Sequence, residues 1–228
     1  MKGIKLDLHV HSIYSGDSLI KPRDLLIYSK KIGLDGFAIT DHDSMKAYNV
    51  LKKYPESNDL LIIPGMEIET NIGEVLALFI DKEIDCKDND FFTIANKIKD
   101  NNGVIVIPHP FDFLRDNHLK MKLLSKNIID KYIDGVEIMN SRTIFKYCIK
   151  KAEKFKNKYN LFETGGSDAH TIKEIGNGYT FIKTNLSITP DNIKNELLNK
   201  NSKSQGHLSS PFVHFLTIIN KVKKELYF

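Results

Sequence analysis

Residues 6–11 have the sequence Leu6-Asp7-Leu8-His9-Val10-His11, and the rest of the chain can be arranged around them. In a β-strand over residues 4–11, the two-residue repeat places Ile4, Leu6, Leu8 and Val10 on one face and Asp7, His9 and His11 on the other. The first face can be buried. On the second face two imidazoles point the same way from one rigid element, as nitrogen ligands of a cation must. The stretch therefore predicts a strand with a buried face and a metal-binding face.

The composition is that of one globular domain. The chain has 228 residues, of which 41% are hydrophobic, and single α/β barrels reach this size. No run of about 18 apolar residues occurs and the N-terminus leads directly into a strand pattern, so we expect neither a membrane span nor a signal peptide. The two cysteines argue against a disulfide framework or a thiolate zinc site, and we expect a cytoplasmic protein. The net charge of +4 is spread over interleaved lysines and acids, which is a weak argument for nucleic acid and none for a membrane partner.

Apolar runs alternate with lysine-rich, helix-like segments, which is typical of βα units around a parallel sheet. We predict strands near residues 4–11, 37–40, 60–64, 75–80, 104–107, 135–139, 161–164 and 179–183, and helices near 22–32, 45–54, 91–100, 144–158 and from 189. The segment 111–133 is mixed, with a helical second half. We expect a barrel over residues 1–199. A polar linker over 200–207 and an amphipathic helix up to residue 228, packed on the barrel, would complete a single domain.

Candidate ligands follow five of the predicted strands. They are His9 and His11, His42, Glu67, His109, and Asp168 with His170. In a barrel of parallel strands the C-terminal ends share one rim, so residues scattered along the chain would converge. Each residue alone has a simpler interpretation as a turn residue, a cap, a packed loop histidine or a solvated acid. Five of the eight histidines lie at these strand ends, however, and that coincidence favours a shared metal site.

Four motifs, in this order, resemble the PHP domain family, the polymerase and histidinol phosphatase superfamily. They are His9-Val-His11 with Ser15-Gly-Asp17-Ser18, Thr40-Asp41-His42, Pro108-His109-Pro110, and Gly166-Ser167-Asp168-Ala169-His170. The match runs from Leu6 to about Tyr179. The motifs Gly65-Met-Glu67, Phe111-Asp112 and Asn140-Ser141-Arg142 make the chain most similar to short, stand-alone members of the metal-dependent phosphoesterase type.

The resemblance implies a distorted (β/α)7 barrel with two or three divalent cations at the strand C-termini. By position, His9, His11, Glu67 and Asp168 would hold the first cation, Glu67 and His109 the second, and Asp17, His42 and His170 the third. Many members have a further histidine after the glutamate motif. The nearest residue here is Glu74, which is either a ligand or a solvated acid. Imidazoles and carboxylates without thiolates suit Zn²⁺, Mn²⁺ or Fe²⁺ and argue against Ca²⁺.

Paired cations in such a site would activate a water as hydroxide for attack on a phosphoester, so no protein nucleophile is required. The leaving oxygen would be taken by the third cation or protonated by a nearby group, for which His42 and His170 are the candidates. With Asp168 these two histidines make up the expected catalytic group. Of the three arginines, Arg115 and Arg142 lie just after rim strands and are expected to bind the phosphate oxygens. The alternatives are that Arg142 caps a strand end and that Arg115 lies on the surface.

The expected partner is a small phosphorylated molecule: a sugar or histidinol phosphate, a nucleotide, or the end of a short oligonucleotide. The lysine content gives the oligonucleotide some support, but the sequence shows no RNA-binding module and no clear aromatic stacking strip. Two other functions stay open. Amidohydrolase barrels also begin with His-x-His, although they typically use an isolated aspartate at the last strand, and here Asp168 stands beside His170. A non-catalytic, metal-stabilised binding module is the second, although an almost complete ligand set favours turnover.

Overall fold

The structure is a computed structural model that describes residues 2–115, 117, 119–210, 212–213 and 217. Its strands are β1 (Lys2–Val10), β2 (Gly36–Ile39), β3 (Leu61–Thr70), β4 (Gly73–Leu78), β5 (Val104–Ile107), β6 (Gly135–Asn140), β7 (Phe162–Gly166), β8 (Gly178–Thr184) and β9 (Ser202–Gly206). Its helices are α1 (Pro22–Lys31), α2 (Lys46–Leu51), α3 (Phe91–Asp100), α4 (Lys126–Tyr132), α5 (Lys146–Tyr159) and α6 (Pro190–Leu198). Within the described ranges, no helix has the length and apolar content that a membrane span requires.

The strands form one mixed sheet in the order β7-β6-β5-β4-β3-β2-β1-β8-β9. Strands β1, β2 and β3 run parallel, as do β5, β6 and β7. The sheet curls until the segment after β7 meets β1. There the Asp168 amide donates to the His9 carbonyl at 2.7 Å and the His11 amide donates to the Ala169 carbonyl at 3.1 Å. The first seven strands therefore form a nearly closed barrel, and the predicted α/β barrel is confirmed.

Strand β4 departs from the predicted parallel sheet, because it runs antiparallel to both of its neighbours, β3 and β5. The segment between β3 and β4 consists of Asn71 and Ile72. Two residues suffice for a hairpin, whereas a parallel crossover needs about a dozen or more. Strand β3 also extends to Thr70, beyond the predicted end near Pro64. As a result the first residues of β4, Glu74 among them, lie at the rim where the parallel strands end.

The barrel interior is filled by an apolar cluster to which β1 contributes Ile4, Leu6 and Leu8. Val10 belongs instead to a second cluster, which contains residues of α1 and α2 outside the barrel. The pairing of β1 with β2 shifts register between Asp7 and Val10, and this irregularity splits the single apolar face that the sequence predicted. A third cluster packs α3, α4 and α5 against the outside of β3 to β6. With Val10 packed outside, the two flanking histidines are left at the barrel mouth.

The predicted linker over residues 200–207 is wrong for most of its length, because Ser202–Gly206 forms β9 and pairs antiparallel with β8. Its polar side chains suit an edge strand, and the Ser204 amide donates to Glu163 Oε1 at 2.9 Å. Phe212 and Val213 are helical. The remaining apolar positions of the predicted amphipathic helix lie outside the described residues: Phe215, Leu216, Ile219, Val222 and Leu226. The division of the chain at residue 199 stays a prediction.

Candidate metal centre

The two histidines of the β1 region direct their Nε2 atoms toward one another at the barrel mouth. The Nε2 atoms of His9 and His11 are 3.1 Å apart, and each lies 3.2 Å from Oε2 of Glu67. Their other ring nitrogens have partners of their own: Nδ1 of His9 is 3.1 Å from Oε1 of Glu137, and Nδ1 of His11 is 2.9 Å from Oγ of Ser15. Both histidines are fully buried. Two Nε2 atoms therefore converge on one carboxylate.

Glu67 connects this pair to residues on two further strands. Its Oε1 is 3.3 Å from Nε2 of His109, which follows β5, and its Oε2 is 3.6 Å from Nδ1 of His42, which follows β2. The sequence placed Glu67 just after a strand, but it lies within β3, where it pairs with His42 in a short parallel bridge. A carboxylate whose two oxygens face different donors is suited to bridging neighbouring cations.

His9, His11 and Glu67 form a first group of donors, and a second group shares His11 with it. The second group also contains Asp17, His42 and His170, and one ligand atom from each of the four residues lies within 4.8 Å of the others. Oδ2 of Asp17 is 3.0 Å from Nε2 of His170 and 3.5 Å from Nε2 of His42. The residues predicted for a third cation are therefore brought together from the loops after β1, β2 and β7.

Asp168 forms a third group with His9 and His109. Its backbone φ is +54°, a left-handed conformation that aspartate adopts more readily than most residues. Oδ1 of Asp168 lies 3.4 Å from Nε2 of His11, and Oδ2 accepts a hydrogen bond from Nδ2 of Asn140 at 3.1 Å. The carboxylate thus faces the same two histidines that Glu67 approaches from β3.

Glu74 lies in the same cleft and forms a fourth group with His42 and Glu67. Its Oε2 is 3.7 Å from Nε2 of His109. Burial and the nearby charge of Glu67 raise the pKa of the Glu74 carboxyl. The structure places Glu74 among the other donors and not on an open surface, and its role as a ligand stays a prediction.

The donor set fits divalent cations. Within the described part of the chain, Oδ1 of Asp168 and Oδ1 of Asp17 are buried and accept no hydrogen bond. Buried carboxylate oxygens nearly always have a partner, so both atoms are suited to a ligand that the protein itself does not provide. The surrounding imidazole nitrogens and carboxylate oxygens are those that transition-metal ions prefer.

Glu67 and the histidines beside it hold each other in their charged forms. Burial raises the pKa of Glu67, but the charge of His9 and the hydrogen bonds from His109 and His11 outweigh burial and hold that pKa well below its ordinary value. Burial lowers the pKa of His11, but the nearby carboxylates of Asp168 and Glu67 raise it to about 10. The His11 imidazole is therefore protonated on both nitrogens near neutral pH, and a cation that binds there must displace one of these protons.

Glu137 on β6 was not among the predicted site residues, yet it supports two of them. Its Oε1 accepts from Nδ1 of His9, and its Oε2 accepts from the His109 amide at 3.0 Å and from Nδ2 of Asn140 at 2.9 Å. Histidine ligands commonly donate their second ring nitrogen to such a carboxylate. The signal available in the sequence was a glutamate inside an apolar strand, where a buried charge requires a partner.

Gly166, the last residue of β7, allows β1 to approach closely. A Cβ on this residue would lie 2.4 Å from Cβ of His9 and 2.8 Å from Oε1 of Glu137. We expect Gly166→Ala to displace His9, to destabilise the fold by about 1–3 kcal/mol and to reduce the number of bound cations, as measured by thermal unfolding and elemental analysis. Gly33→Ala is the control, because the added Cβ meets nothing within 4 Å and only its φ of +76° is strained. Full metal content in Gly166→Ala would contradict this account.

Most of the chain, residues 7–162, matches the PHP domain model. The chain belongs to the PHP domain family. Residues 149–201 also match a PHP-associated region. Protein MJ0417 of Methanocaldococcus jannaschii is 36% identical to this chain over 200 residues, which cover 86% of this chain and 78% of that protein.

Solved structures share the PHP fold over nearly the whole chain. A two-domain protein of Bacteroides vulgatus, which contains a predicted PHP-like metal-dependent phosphoesterase, has a TM-score of 0.75 at 19% identity and covers 98% of this chain and 70% of its own. A lesion-specific endonuclease of Pyrococcus furiosus has a TM-score of 0.69 at 18% identity, with coverage of 92% and 60%. At these identities the likeness establishes the fold alone.

Both candidate phosphate-binding arginines of this PHP chain contact the centre. Arg115 forms an ion pair with Asp168, and its side chain is 22% exposed. Arg142 is buried, contacts Nδ1 of His170, and donates from Nη2 to Oγ1 of Thr217 at 2.7 Å. Arg115 therefore lies at the cleft, while Arg142 joins the centre to the C-terminal segment. Their roles in binding phosphate stay predictions.

Proposed function

We propose that the chain is a metal-dependent phosphoesterase that hydrolyses a phosphomonoester or a phosphodiester. The observation that carries the proposal is the sharing of donors, since four residues each belong to two of the four groups: His9, His11, His42 and Glu67. Shared donors hold cations side by side, and adjacent cations suit displacement at phosphorus, where the attacking and the leaving oxygen both need positive charge. Membership of the PHP family, together with the phosphoesterase and endonuclease descriptions of its structural neighbours, supports the same reaction class.

Each cation is assigned to a set of residues. By resemblance to the family, His9, His11, Glu67 and Asp168 would hold one cation, Glu67, Glu74 and His109 a second, and Asp17, His42 and His170 a third. Every one of these residues belongs to one or two of the four groups, which divide the donors differently. Zn²⁺, Mn²⁺ and Fe²⁺ are the candidate ions, because imidazole and carboxylate ligands without thiolates suit them. When bound, the ions supply an acidified water as the nucleophile and positive charge for the phosphate oxygens.

His42 is assigned as the proton donor to the leaving oxygen. Burial lowers the pKa of His42, but its hydrogen bond to Asp17 raises the pKa above the ordinary value. By contrast, burial and the charges of His11 and Arg142 lower the pKa of His170 to about 4. The His42 side chain is 34% exposed, so a proton that it gives to the leaving oxygen can be replaced from water.

The proposal is tested by assaying metal-loaded protein with p-nitrophenyl phosphate and bis(p-nitrophenyl) phosphate, and with a lactone and an amide for comparison. We expect hydrolysis of a phosphoester that His9→Ala abolishes and that Lys53→Ala, a change at an exposed residue outside the four groups, leaves in place. Hydrolysis of the lactone or the amide alone would indicate an amidohydrolase. A fully metallated protein that hydrolyses none of them would indicate a binding module and overturn the proposal.

Cation binding is expected to release protons. The pKa of His9 lies well above its ordinary value, because the charges of Glu67 and Glu137 outweigh burial, and that of His11 is about 10. Both imidazoles are therefore protonated on both ring nitrogens near neutral pH. The apparent affinity for a cation should rise about tenfold per pH unit for each proton displaced. Calorimetric titration with Zn²⁺ or Mn²⁺, in buffers of different ionisation enthalpy, measures the number of protons released per bound cation between about pH 7 and 8. An affinity that does not change with pH would contradict the assignment of both histidines as ligands.

A further inference from the structure

Two exposed phenylalanine rings lie side by side on the loops that follow β5 and β6. Phe113 is 57% exposed and Phe145 is 45% exposed. Their ring centroids are 5.9 Å apart and their planes differ by 9°. We call this pair the aromatic platform. An exposed apolar feature of this kind indicates a binding surface more often than a lone apolar residue does.

The loops that carry the aromatic platform also reach the metal centre. Arg115, two residues after Phe113, pairs with Asp168. Arg142, three residues before Phe145, contacts His170. Because such short segments connect the rings to residues in the cleft, the platform lies at the rim of the candidate active site.

Lys146, the residue that follows Phe145 of the aromatic platform, lines a groove that we call the basic groove. It has a volume of about 570 Å³ and lies between α5, which begins directly after Phe145, and residues 206–208. Lys146, Lys150 and His207 line it together with Glu153 and the apolar residues Met139 and Ile149. Helix α5 has six lysines and one acidic residue, Glu153, whereas the net charge of the whole chain is +4. Positive charge is therefore concentrated on the helix that starts at the platform.

We propose that the aromatic platform and the basic groove bind the end of a single-stranded oligonucleotide. That this strand is the substrate rests on the proposed function. A base would stack on the platform, and the phosphates would follow Lys146 and Lys150. Stacking accepts any base because every base has a flat π-face, and lysines neutralise phosphates without reading sequence. A sugar phosphate has no planar group for the rings, and a mononucleotide has no second phosphate for the groove.

The platform is tested by fluorescence anisotropy with the full, metal-loaded chain and a labelled phosphorothioate strand of about ten thymidines, which resists hydrolysis. Phe113→Ala/Phe145→Ala should raise Kd about tenfold or more. Phe113→Tyr/Phe145→Tyr keeps both rings and should change Kd by about twofold at most. Phe92→Ala removes an exposed phenylalanine from α3 and is the matched control. For a strand without bases, the wild type and the alanine variant should have the same Kd.

The groove is tested in the same assay over a range of salt concentrations. Lys146→Glu/Lys150→Glu should weaken binding and reduce the slope of log Kd against log salt by about 0.7 for each phosphate that the variant no longer neutralises. Lys82→Glu/Lys87→Glu makes the same change of charge on an exposed loop. This control should have the Kd and the salt slope of the wild type.

Three results would overturn the inference: no binding of the strand by the wild type, a Kd unchanged by removal of both rings, or loss of a dimer in the ring variant with strand binding intact. The last result would assign the platform to contacts between copies of the chain. Because the assay needs no turnover, its outcome is separate from that of the proposed function. A bound strand with no phosphoester cleaved counts against the phosphoesterase, and cleaved phosphoesters with ring-independent binding count against the oligonucleotide.

Discussion

Glu67→Gln is expected to lower kcat/KM for a phosphoester by about 10³-fold and to remove at least one bound cation. The carboxylate faces His9 and His11 with one oxygen and His109 with the other. Glutamine retains one of these oxygens, carries no charge, and directs N–H groups at nitrogens that should hold a cation. Elemental analysis and steady-state kinetics on the same preparation measure the two effects.

Glu69→Gln is the matched control for this change. Glu69 lies on the same strand, two residues further along, and is exposed. The Glu69→Gln variant should have the metal content and the activity of the wild type. If Glu67→Gln also keeps both, Glu67 is not a ligand and the assignment of adjacent cations fails.

Glu137→Gln is expected to lower the affinity for a cation by about 10–100-fold in a protein that still folds. Oε2 of Glu137 accepts two hydrogen bonds, from His109 and Asn140, so the single amide oxygen of glutamine should take that position. The amide nitrogen would then face Nδ1 of His9 and turn it into an acceptor. The His9 proton would move to Nε2, the atom directed at Glu67, and block ligation there.

The measurement is a competition titration with a chelating dye, accompanied by thermal unfolding of the metal-free protein. Glu163→Gln is the control, because Glu163 is a carboxylate of the neighbouring strand β7 whose partners, Lys156 and Ser204, lie outside the four groups of donors. A purely structural role for Glu137 would lower the unfolding temperature and leave the metal affinity as it is. That pattern would contradict its assignment as the residue that orients His9.

Much of the candidate centre could be predicted from the sequence, because the polar residues in question interrupt apolar runs. His9 and His11 end one run, and His109 follows another directly. All nine predicted ligands, Glu74 among them, belong to the groups that the structure brings together. The α/β barrel followed from the alternation of strands and helices, and the reversed strand β4 lies where the connecting segment is too short for a crossover.

Other features depend on partners that are distant in the chain, and local patterns do not contain them. Glu137 became part of the centre only through Nδ1 of His9, a contact across 128 positions. Phe113 and Phe145 each resemble an ordinary loop residue in the sequence, and only the adjacency of two barrel strands makes them a pair. Strand β9 has no apolar pattern of its own and is defined by its pairing with β8.

By itself, the sequence determined the fold class, the family, and the positions along the chain where ligands could lie, because these depend on local periodicity and on motifs of a few residues. The tertiary structure decided which donors share a cation, which carboxylate orients His9, and which surface lies at the rim. Those properties are distances between strands, and they exist only once the Asp168 amide bonds to the His9 carbonyl and the barrel closes. Before closure, the same side chains are separated by as many as 161 positions along the chain, as His9 and His170 are.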